Sequence, residues 1–412
     1  MKNLTIISDD LTGAVDSSSF SVASGSRVRV EITYENDILP HNGREGISIN
    51  MSSRTLNGEE SRKRHQELAA KIRNLPDQLV MKKMDTGFRG NATFEMEGIM
   101  KGLGMEVCFV LDHSPSRNTF TLYGNQYVEG VILPKSVFGK EDPLKRQQSA
   151  YIPDILAKDA TLPVGLVDID KVKGNRLLED VLDATEKGFQ ILVFDVTGDA
   201  DCSKIIRTLA PHYANALWAG SNGLGWGLAD YLYGKPKEAI YTPRKDLRCA
   251  CFTASAYSVV RRQIAAAQKR GLSEVILDMD KVVSGDHSAL SEAIRNCLKA
   301  SEGGKFILSP QLSPGKGGEK VSDLILASIA ECAEKICASI DFDRIAVIGG
   351  ETSYAILHGL KITKLYLTEK PETGIGTGTI GDGPYTGKSF SIKGGSIGSE
   401  AALCRMLGME EE

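Results

Sequence analysis

The sequence predicts an α/β protein of two domains, each a largely parallel sheet flanked by helices, with the active site in the cleft between them. Three observations carry that expectation: short apolar runs alternate with helix-like segments, clusters of polar residues follow the apolar runs at their carboxyl ends, and the pattern restarts after an aperiodic stretch containing proline. At 412 residues, 42% hydrophobic and 25% charged, the chain has enough apolar material for two cores.

In chain order, the strands expected in the first half are LTIIS (4–8), VRVEI (28–32), GISIN (46–50), QLVMK (78–82), EVCFVL (106–111) and ILVFDV (191–196). Helical spacing of apolar residues places helices at 57–73 and 92–103. The segment 117–163 carries aromatics and prolines in a weak pattern and predicts no element. A second series of strands follows: RCACFT (248–253), EVILDM (274–279), KFILSP (305–310), RIAVIG (344–349) and KLYLTE (364–369), with helices near 258–269, 289–298 and 319–339. Domains at 1–235 and 247–412 are expected, with 236–246 as the linker, because that segment is charged, holds two prolines and has no periodicity.

Composition excludes several classes of function. A net charge of −4 and no long basic stripe argue against nucleic acid or an anionic membrane as partner. The opening MKNLTIISDD puts acidic residues where a signal peptide would continue its apolar run, and no run is long enough to cross a bilayer, so a cytoplasmic protein is expected. The 8 cysteines form no CxxC pair or Cys/His ligand set. Cys249 and Cys251 stand two apart on one strand and share a face, which reads as packing rather than metal binding. None of the 6 histidines sits in a metal-like or Ser/His/Asp-like motif. His113, beside a strand end, reads as a structural or substrate-contacting residue.

Three polar clusters in the first half lie at carboxyl ends of strands, where parallel sheets form their ligand crevice. SDDLTGAVD (8–16) offers Asp9 and Asp10; Asp10 or Thr12 can cap the following helix, and a carboxylate there can bind a hydroxyl, accept its proton or hold magnesium. INMSSRTLNGEE (49–60) offers Arg54, whose planar fork suits a carboxylate or phosphate, against the plain alternative of a surface ion pair with Glu59 or Glu60. KKMDTGFRGN (82–91) offers Lys82, Lys83, Met84, Asp85 and Arg89 around two glycines that allow close backbone approach; here the plain alternative is an Asp85–Arg89 pair that only shapes the loop. Together these residues suit a small polyhydroxy acid.

The second half carries glycine where the first carries charge. IAVIGGETSYAIL (345–357) is an apolar strand, a turn through Gly349 and Gly350, then Glu351, Thr352 and a helix, a geometry that offers free N–H groups to phosphate oxygens. ETGIGTGTIGDG (372–383) and SIKGGSIGSEAAL (391–403) read as two further loops of the same kind, the last opening a helix. There is no GxxxxGK[ST], and no GxGxxG follows the first strand of either half, which excludes a P-loop and a dinucleotide fold.

The order of these pieces resembles the four-carbon acid sugar kinase family. DDLTGA (9–14), SSR (52–54), KMDTGFRGN (83–91), GGETS (349–353) and KGGSIG (393–398) match its motifs over nearly the whole chain. The family's G-S-x-S-x-x-T-x-x-Q pattern is only partly kept in CFTASAYSVVRRQ (251–263), which retains Ser255 and Gln263 and lacks the glycine and threonine. The resemblance implies an N-terminal domain for the acid, a C-terminal domain for ATP, assistance by Mg²⁺, and phosphorylation of the terminal hydroxyl of threonate, erythronate or 3-oxo-tetronate. It implies that Asp9, Arg54, the segment from Lys82 through Lys83 and Met84 to Asp85, and Arg89 hold the acid, with Asp10 beside them. It likewise implies that Ser255, Gly349, Gly350, Gly394, Gly395 and Ser396 hold ATP, with Glu351 and Thr352 in the same turn. Asp9, Asp85, Lys83 and Arg89 are the expected catalytic groups; any of Asp9, Asp10 and Asp85 can serve as base. A homodimer is compatible with this reading. The alternatives are a non-catalytic two-domain receptor for a sugar acid, which has no need of phosphate-type loops, and a dehydrogenase, which lacks its fingerprint.

Overall fold

The structure, a computed structural model, describes residues 3–40, 45–76, 78–140, 147–237, 241–244, 246–255, 257–286, 288–315 and 318–410. It divides into two compact units, Met1–Lys237 and Glu238–Glu412. The segment expected as linker lies partly outside the described residues.

The strands of the first unit are β1 (Asn3–Ser8), β2 (Arg27–Glu31), β3 (Glu45–Asn50), β4 (Gln78–Lys83), β5 (Cys108–Leu111), β6 (Phe120–Leu122), β7 (Asn125–Val128), β8 (Val131–Ile132), β9 (Val164–Val167), β10 (Ile191–Phe194) and β11 (Leu217–Gly220). Eight of them form a wholly parallel sheet in the order β2-β3-β1-β4-β11-β5-β10-β9. The chain builds leftward from β1 to β2 and β3, then crosses to β4. The switch in direction therefore falls between β1 and β4, where loops leaving the carboxyl ends diverge and open a crevice.

Alternation along the strands buries both faces. Leu4, Ile6, Leu79, Met81, Phe109 and Leu111 enter one core, while Ile7, Val80, Cys108 and Val110 enter the other. The helices that matter to the site are α1 (Leu11–Ala23), α2 (Gly58–Ile72) and α3 (Ala92–Leu103). Each begins where a site loop ends. The segment that predicts no element holds a small antiparallel sheet, β6-β7-β8. It is tied to the main sheet by Asp195, which ends β10 by accepting from the backbone N–H groups of Tyr123 (2.6 Å), Gly124 (2.7 Å) and Ile169 (2.9 Å).

The second unit contains β12 (Cys249–Thr253), β13 (Ser273–Asp278), β14 (Lys305–Gln311), β15 (Arg344–Ile348), β16 (Lys364–Glu372), β17 (Ile375–Ile380) and β18 (Ser389–Lys393). Their order is β13-β14-β12-β15-β18-β17-β16. The first five are parallel and the last two pairings antiparallel, so the switch point here lies between β12 and β15. One expectation is corrected: the glycine-rich run 372–383 is no phosphate loop but contains β17. Its glycines serve close packing, since a Cβ on Gly378 would lie 1.9 Å from the Tyr366 carbonyl oxygen. Cys249 and Cys251 both enter the core beside Ile264, Ile307 and Ile348.

Candidate active site

In the first unit the three polar clusters meet at the switch between β1 and β4. Asp10 caps α1, its Oδ1 accepting from Gly13 N (2.8 Å) and its Oδ2 from the Thr12 hydroxyl (2.7 Å). Glycine is required at 13, where a Cβ would stand 2.5 Å from that same oxygen. Asp9, one residue earlier, is buried and free of capping duty. Arg54 follows β3 and brings the loops together: Nε donates to Asp9 Oδ2 (2.8 Å), and Nη2 lies 3.4 Å from Asp10 Oδ1 and 3.7 Å from Asp85 Oδ1. Its partners are thus three aspartates, not Glu59 or Glu60.

Asp85 follows β4 and organises its own loop. Oδ2 accepts from Gly87 N (2.9 Å) and Arg89 Nε (2.9 Å), and Oδ1 from Arg89 Nη2 (2.6 Å). The Asp85–Arg89 pair is therefore present, and Arg54 binds it into the cluster. Two non-glycine residues in these loops, Ser52 (φ 44°) and Phe88 (φ 54°), hold left-handed backbone, the kind of strain that gathers at ligand sites.

Electrostatics keep Asp10, Asp85 and Arg54 ionised. Burial opposes the charge on Asp85, yet Arg54, the Arg89 hydrogen bonds and Lys83 outweigh it and hold the carboxyl far below the usual range. Burial likewise opposes ionisation of Asp10, and Arg54 and Lys83 win there too. Arg54 itself is locked in its charged form, because Asp10, Asp9 and Asp85 together overcome its desolvation.

The two lysines of β4 point to opposite faces. Lys83 is on the α1 face beside Gly13, with Nζ donating to the Met84 carbonyl (2.5 Å). Lys82 is fully buried on the other face, its ammonium 2.8 Å from Glu95 Oε2. Glu95 also accepts from Ser53 (2.5 Å) and Ser61 (3.0 Å), so Lys82 braces the Ser52–Arg54 loop from beneath. Met84 packs its side chain into the core, and its N–H donates to Gly220 O (2.8 Å).

Several buried polar atoms at these strand ends have no hydrogen-bond partner: Ser8 Oγ in the last residue of β1 and Asp9 Oδ1 just after it, Asp112 Oδ1 and His113 Nδ1 after β5. Such atoms are costly unless a ligand satisfies them. Asp112 is absent from the sequence-based candidates because a lone aspartate in LDHSPSRN has no distinguishing spacing. Burial pushes its carboxyl up to about 7 against the relief given by Ser221 and Lys83, with the Asp85 charge adding to the rise.

In the second unit the expected residues gather at the carboxyl ends of β12, β15 and β18. Gly349 (φ 111°) makes a turn that only glycine adopts easily, and helix Gly350–Gly359 starts with no side-chain cap, leaving the first-turn N–H groups of Gly350, Glu351 and Thr352 for an anion. A Cβ on Gly395 would lie 2.7 Å from Ser255 Oγ, so the loop after β18 meets the loop after β12 only because that Cβ is missing. Two residues missing from the candidates shape this loop. Lys393 Nζ donates to Gly394 O (2.9 Å) and Ile397 O (3.1 Å), with burial drawing its pKa down to about 8 against the pull of Cys251 and Glu372. Gln263 Nε2 lies 3.2, 3.2 and 2.8 Å from the carbonyls of Ile397, Gly398 and Ser399. Both stood inside quoted motifs; only the fold shows their work.

Comparison with known proteins decides the family. A sugar-binding N-terminal domain model matches residues 4–228 and a nucleotide-binding C-terminal domain model matches residues 250–403. The chain is 23% identical over 426 residues to D-threonate kinase of Salmonella typhimurium, covering 99% of this chain and 98% of that one. It is 25% identical to 3-oxo-tetronate kinase of Methylobacterium radiotolerans, covering 98% and 99%. For D-erythronate kinase of Heliobacterium modesticaldum the identity is 22%, with 98% and 96% covered. The chain belongs to the four-carbon acid sugar kinase family. Membership makes it a kinase and sets aside the receptor and dehydrogenase readings. Two solved structures share the fold end to end: a Salmonella typhimurium protein described as a putative tRNA synthase (TM-score 0.81, 19% identity, 98% of each chain) and a Haemophilus influenzae protein (TM-score 0.77, 19% identity, 98% and 99%). Among the described residues no helix is long and apolar enough to cross a membrane.

Proposed function

We propose that this kinase transfers the γ-phosphoryl group of ATP to the terminal hydroxyl of a four-carbon sugar acid such as threonate, erythronate or 3-oxo-tetronate. The observation that carries the reading is the Arg54 cluster at the first switch point, where cationic groups and carboxylates converge around buried acceptors that lack donors. Hydroxyl groups are donors, and a sugar acid brings several. Asp9 suits the hydroxyl-binding role best of the three clustered aspartates, because Asp10 is spent on the α1 cap and Asp85 on Arg89 and the loop backbone. Lys83, Arg54 and Arg89 supply the positive field for the acid and for charge on the transferring group. Lys82, through Glu95, and Met84, through its backbone, hold that loop in place.

The second unit fits a nucleotide: its turns offer backbone N–H groups at Gly349–Thr352 and a glycine cradle at Gly394–Ser396, next to Ser255. ATP bound there supplies the phosphoryl group. Mg²⁺ would arrive on the nucleotide phosphates, the usual route for a cation that keeps several of its waters. Phosphoryl transfer asks chiefly for alignment and charge neutralisation, so a carboxylate such as Asp9 is sufficient to orient the attacking hydroxyl and accept its proton.

The test is a coupled ADP-release assay with MgATP against D- and L-threonate, D- and L-erythronate and the 3-oxo acids. Turnover with one of them is expected and names the stereochemistry. No turnover with any, while calorimetry still registers MgATP, would mean a kinase for a different acceptor.

A further inference from the structure

Asp112 follows β5 directly, level with Ser221 after β11 and Met84 after β4, because Leu111, Gly220 and Lys83 are paired in register across the three strands. It is buried, and its two oxygens are treated differently. Oδ2 accepts from Gln126 Nε2 (2.6 Å), and the Gln126 carbonyl oxygen is 2.9 Å from the Thr121 hydroxyl, which also reaches the Asp112 carbonyl (2.9 Å). That chain through β6 and β7 fixes the plane of the carboxyl group. Oδ1 is left buried without a partner. Ser221 is close enough to favour the ionised carboxyl, yet neither its N–H nor its hydroxyl meets hydrogen-bond geometry at Oδ1, and the hydroxyl donates to the His113 carbonyl (2.6 Å) instead.

The charged groups acting on Asp112 are Lys83 and Asp85, both from the β4 side of the crevice. Lys83 also acts on Asp10 and Asp85, and the strand register sets Asp112 two strands from Lys83 at the same carboxyl end, so Asp112 borders the same crevice as the cluster. A rigidly held acceptor with one spare oxygen, beside the cluster but outside its ion pairs, is built to meet a donor from a ligand. Buried acceptors of this kind also discriminate sharply, because a ligand without the matching donor leaves the oxygen unpaired.

We propose that Asp112 is a specificity-determining residue whose Oδ1 accepts a hydrogen bond from one hydroxyl of the bound sugar acid. The inference rests on the sugar-acid reading above. It assigns β5, through Asp112, a share in selecting the hydroxylation pattern, alongside the β1, β3 and β4 loops.

Calorimetric titration of the full chain tests it, using the best acid from the turnover screen and its 2-deoxy, 3-deoxy and 4-deoxy analogues, on the wild type, Asp112→Ala and Asp112→Asn. In the wild type, one analogue should lose at least about tenfold in affinity. In Asp112→Ala that loss should shrink to within about twofold, while the losses for the other analogues stand. Asp112→Asn, which keeps an acceptor oxygen, should recover part of the discrimination. MgATP affinity, read in the same instrument, should be the same in all three proteins and reports on folding. Equal losses for every analogue in the wild type and in Asp112→Ala would overturn the proposal while leaving the sugar-acid reading intact. Failure of the wild type to bind any four-carbon sugar acid has a different signature and would remove both.

Discussion

Asp85 shows how much one carboxylate does at this site. It accepts from two backbone N–H groups of its loop, from both sides of the Arg89 guanidinium, and lies in the field of Arg54. An asparagine of the same shape presents an N–H₂ where donors already point. Asp85→Asn should therefore lower turnover by at least about 100-fold through misplacement of Arg89 and the loop, while near-ultraviolet circular dichroism still shows a packed first unit. Near-normal turnover in that variant would remove Asp85 from the mechanism. His65 makes a separate, structural case. It sits buried between α2 and α3, Nδ1 bonded to the Ser61 carbonyl (2.8 Å), and burial holds its pKa down to about 4, with Lys82 working in the same direction and Glu95 against. A base whose folded pKa lies below its unfolded value of about 6.5 binds fewer protons when folded. Its contribution is complete above pH 6.5 and is lost as pH falls toward 4, on the order of 3 kcal/mol in all. Urea denaturation at pH 7.5, 5.5 and 4.5 should show that decline in the wild type and a shallower one in His65→Gln, which cannot titrate.

At the scale of elements, α2 and α3 pack closely because glycine faces the contact. A Cβ on Gly98 would lie 2.4 Å from the Arg62 carbonyl oxygen, and one on Gly102 would lie 2.3 Å from Ala69 Cβ. Alanine is the better helix former by about 1 kcal/mol. Even so, Gly98→Ala should destabilise the protein by about 1–3 kcal/mol, since the backbone of α2 has to move. A rise in the urea midpoint would show that the helices separate freely. This pairing also marks what the sequence can and cannot reveal. The apolar spacing of α2 and α3 and the short runs rich in Ile, Leu, Val and Met in β1, β3 and β4 are local signals, so those elements are legible with their site loops. β11 is four residues, LWAG, with no β-branched residue, and β17 alternates glycine with threonine and isoleucine. Both exist because neighbouring strands demand them, and a single sequence does not display its neighbours. Asp9, Asp85 and Arg54 are legible as strand-end residues for the same local reason. Asp112 and Lys393 become conspicuous only when burial leaves one oxygen unpaired and threads one ammonium between carbonyls.

At the scale of the whole molecule, the chain repeats one device in two units: a parallel sheet with a switch point, furnished with charge in the first and with glycine and backbone N–H in the second. A carboxylic acid with hydroxyls needs both fixed donors and fixed acceptors, which side chains supply, whereas phosphate oxygens are satisfied by N–H groups of turns and helix starts. The division of labour predicts where each ligand stabilises the protein. A ligand at 100 times its dissociation constant adds about 2.7 kcal/mol to the state that binds it, which slows hydrogen exchange through openings of that region by about 100-fold. Hydrogen exchange on the full chain should then show MgATP protecting chiefly peptides around Ser255, Gly349–Thr352 and Gly394–Ser396, and the sugar acid chiefly those around Asp9–Asp10, Ser52–Arg54 and Lys82–Arg89. Because each ligand is added alone, the two maps need no turnover and do not depend on which stereoisomer is the best substrate. Strongest protection by MgATP in the strand-end loops of β1, β3 and β4 would reverse the assignment of ligands to units, and with it the roles of Arg54 and Asp85.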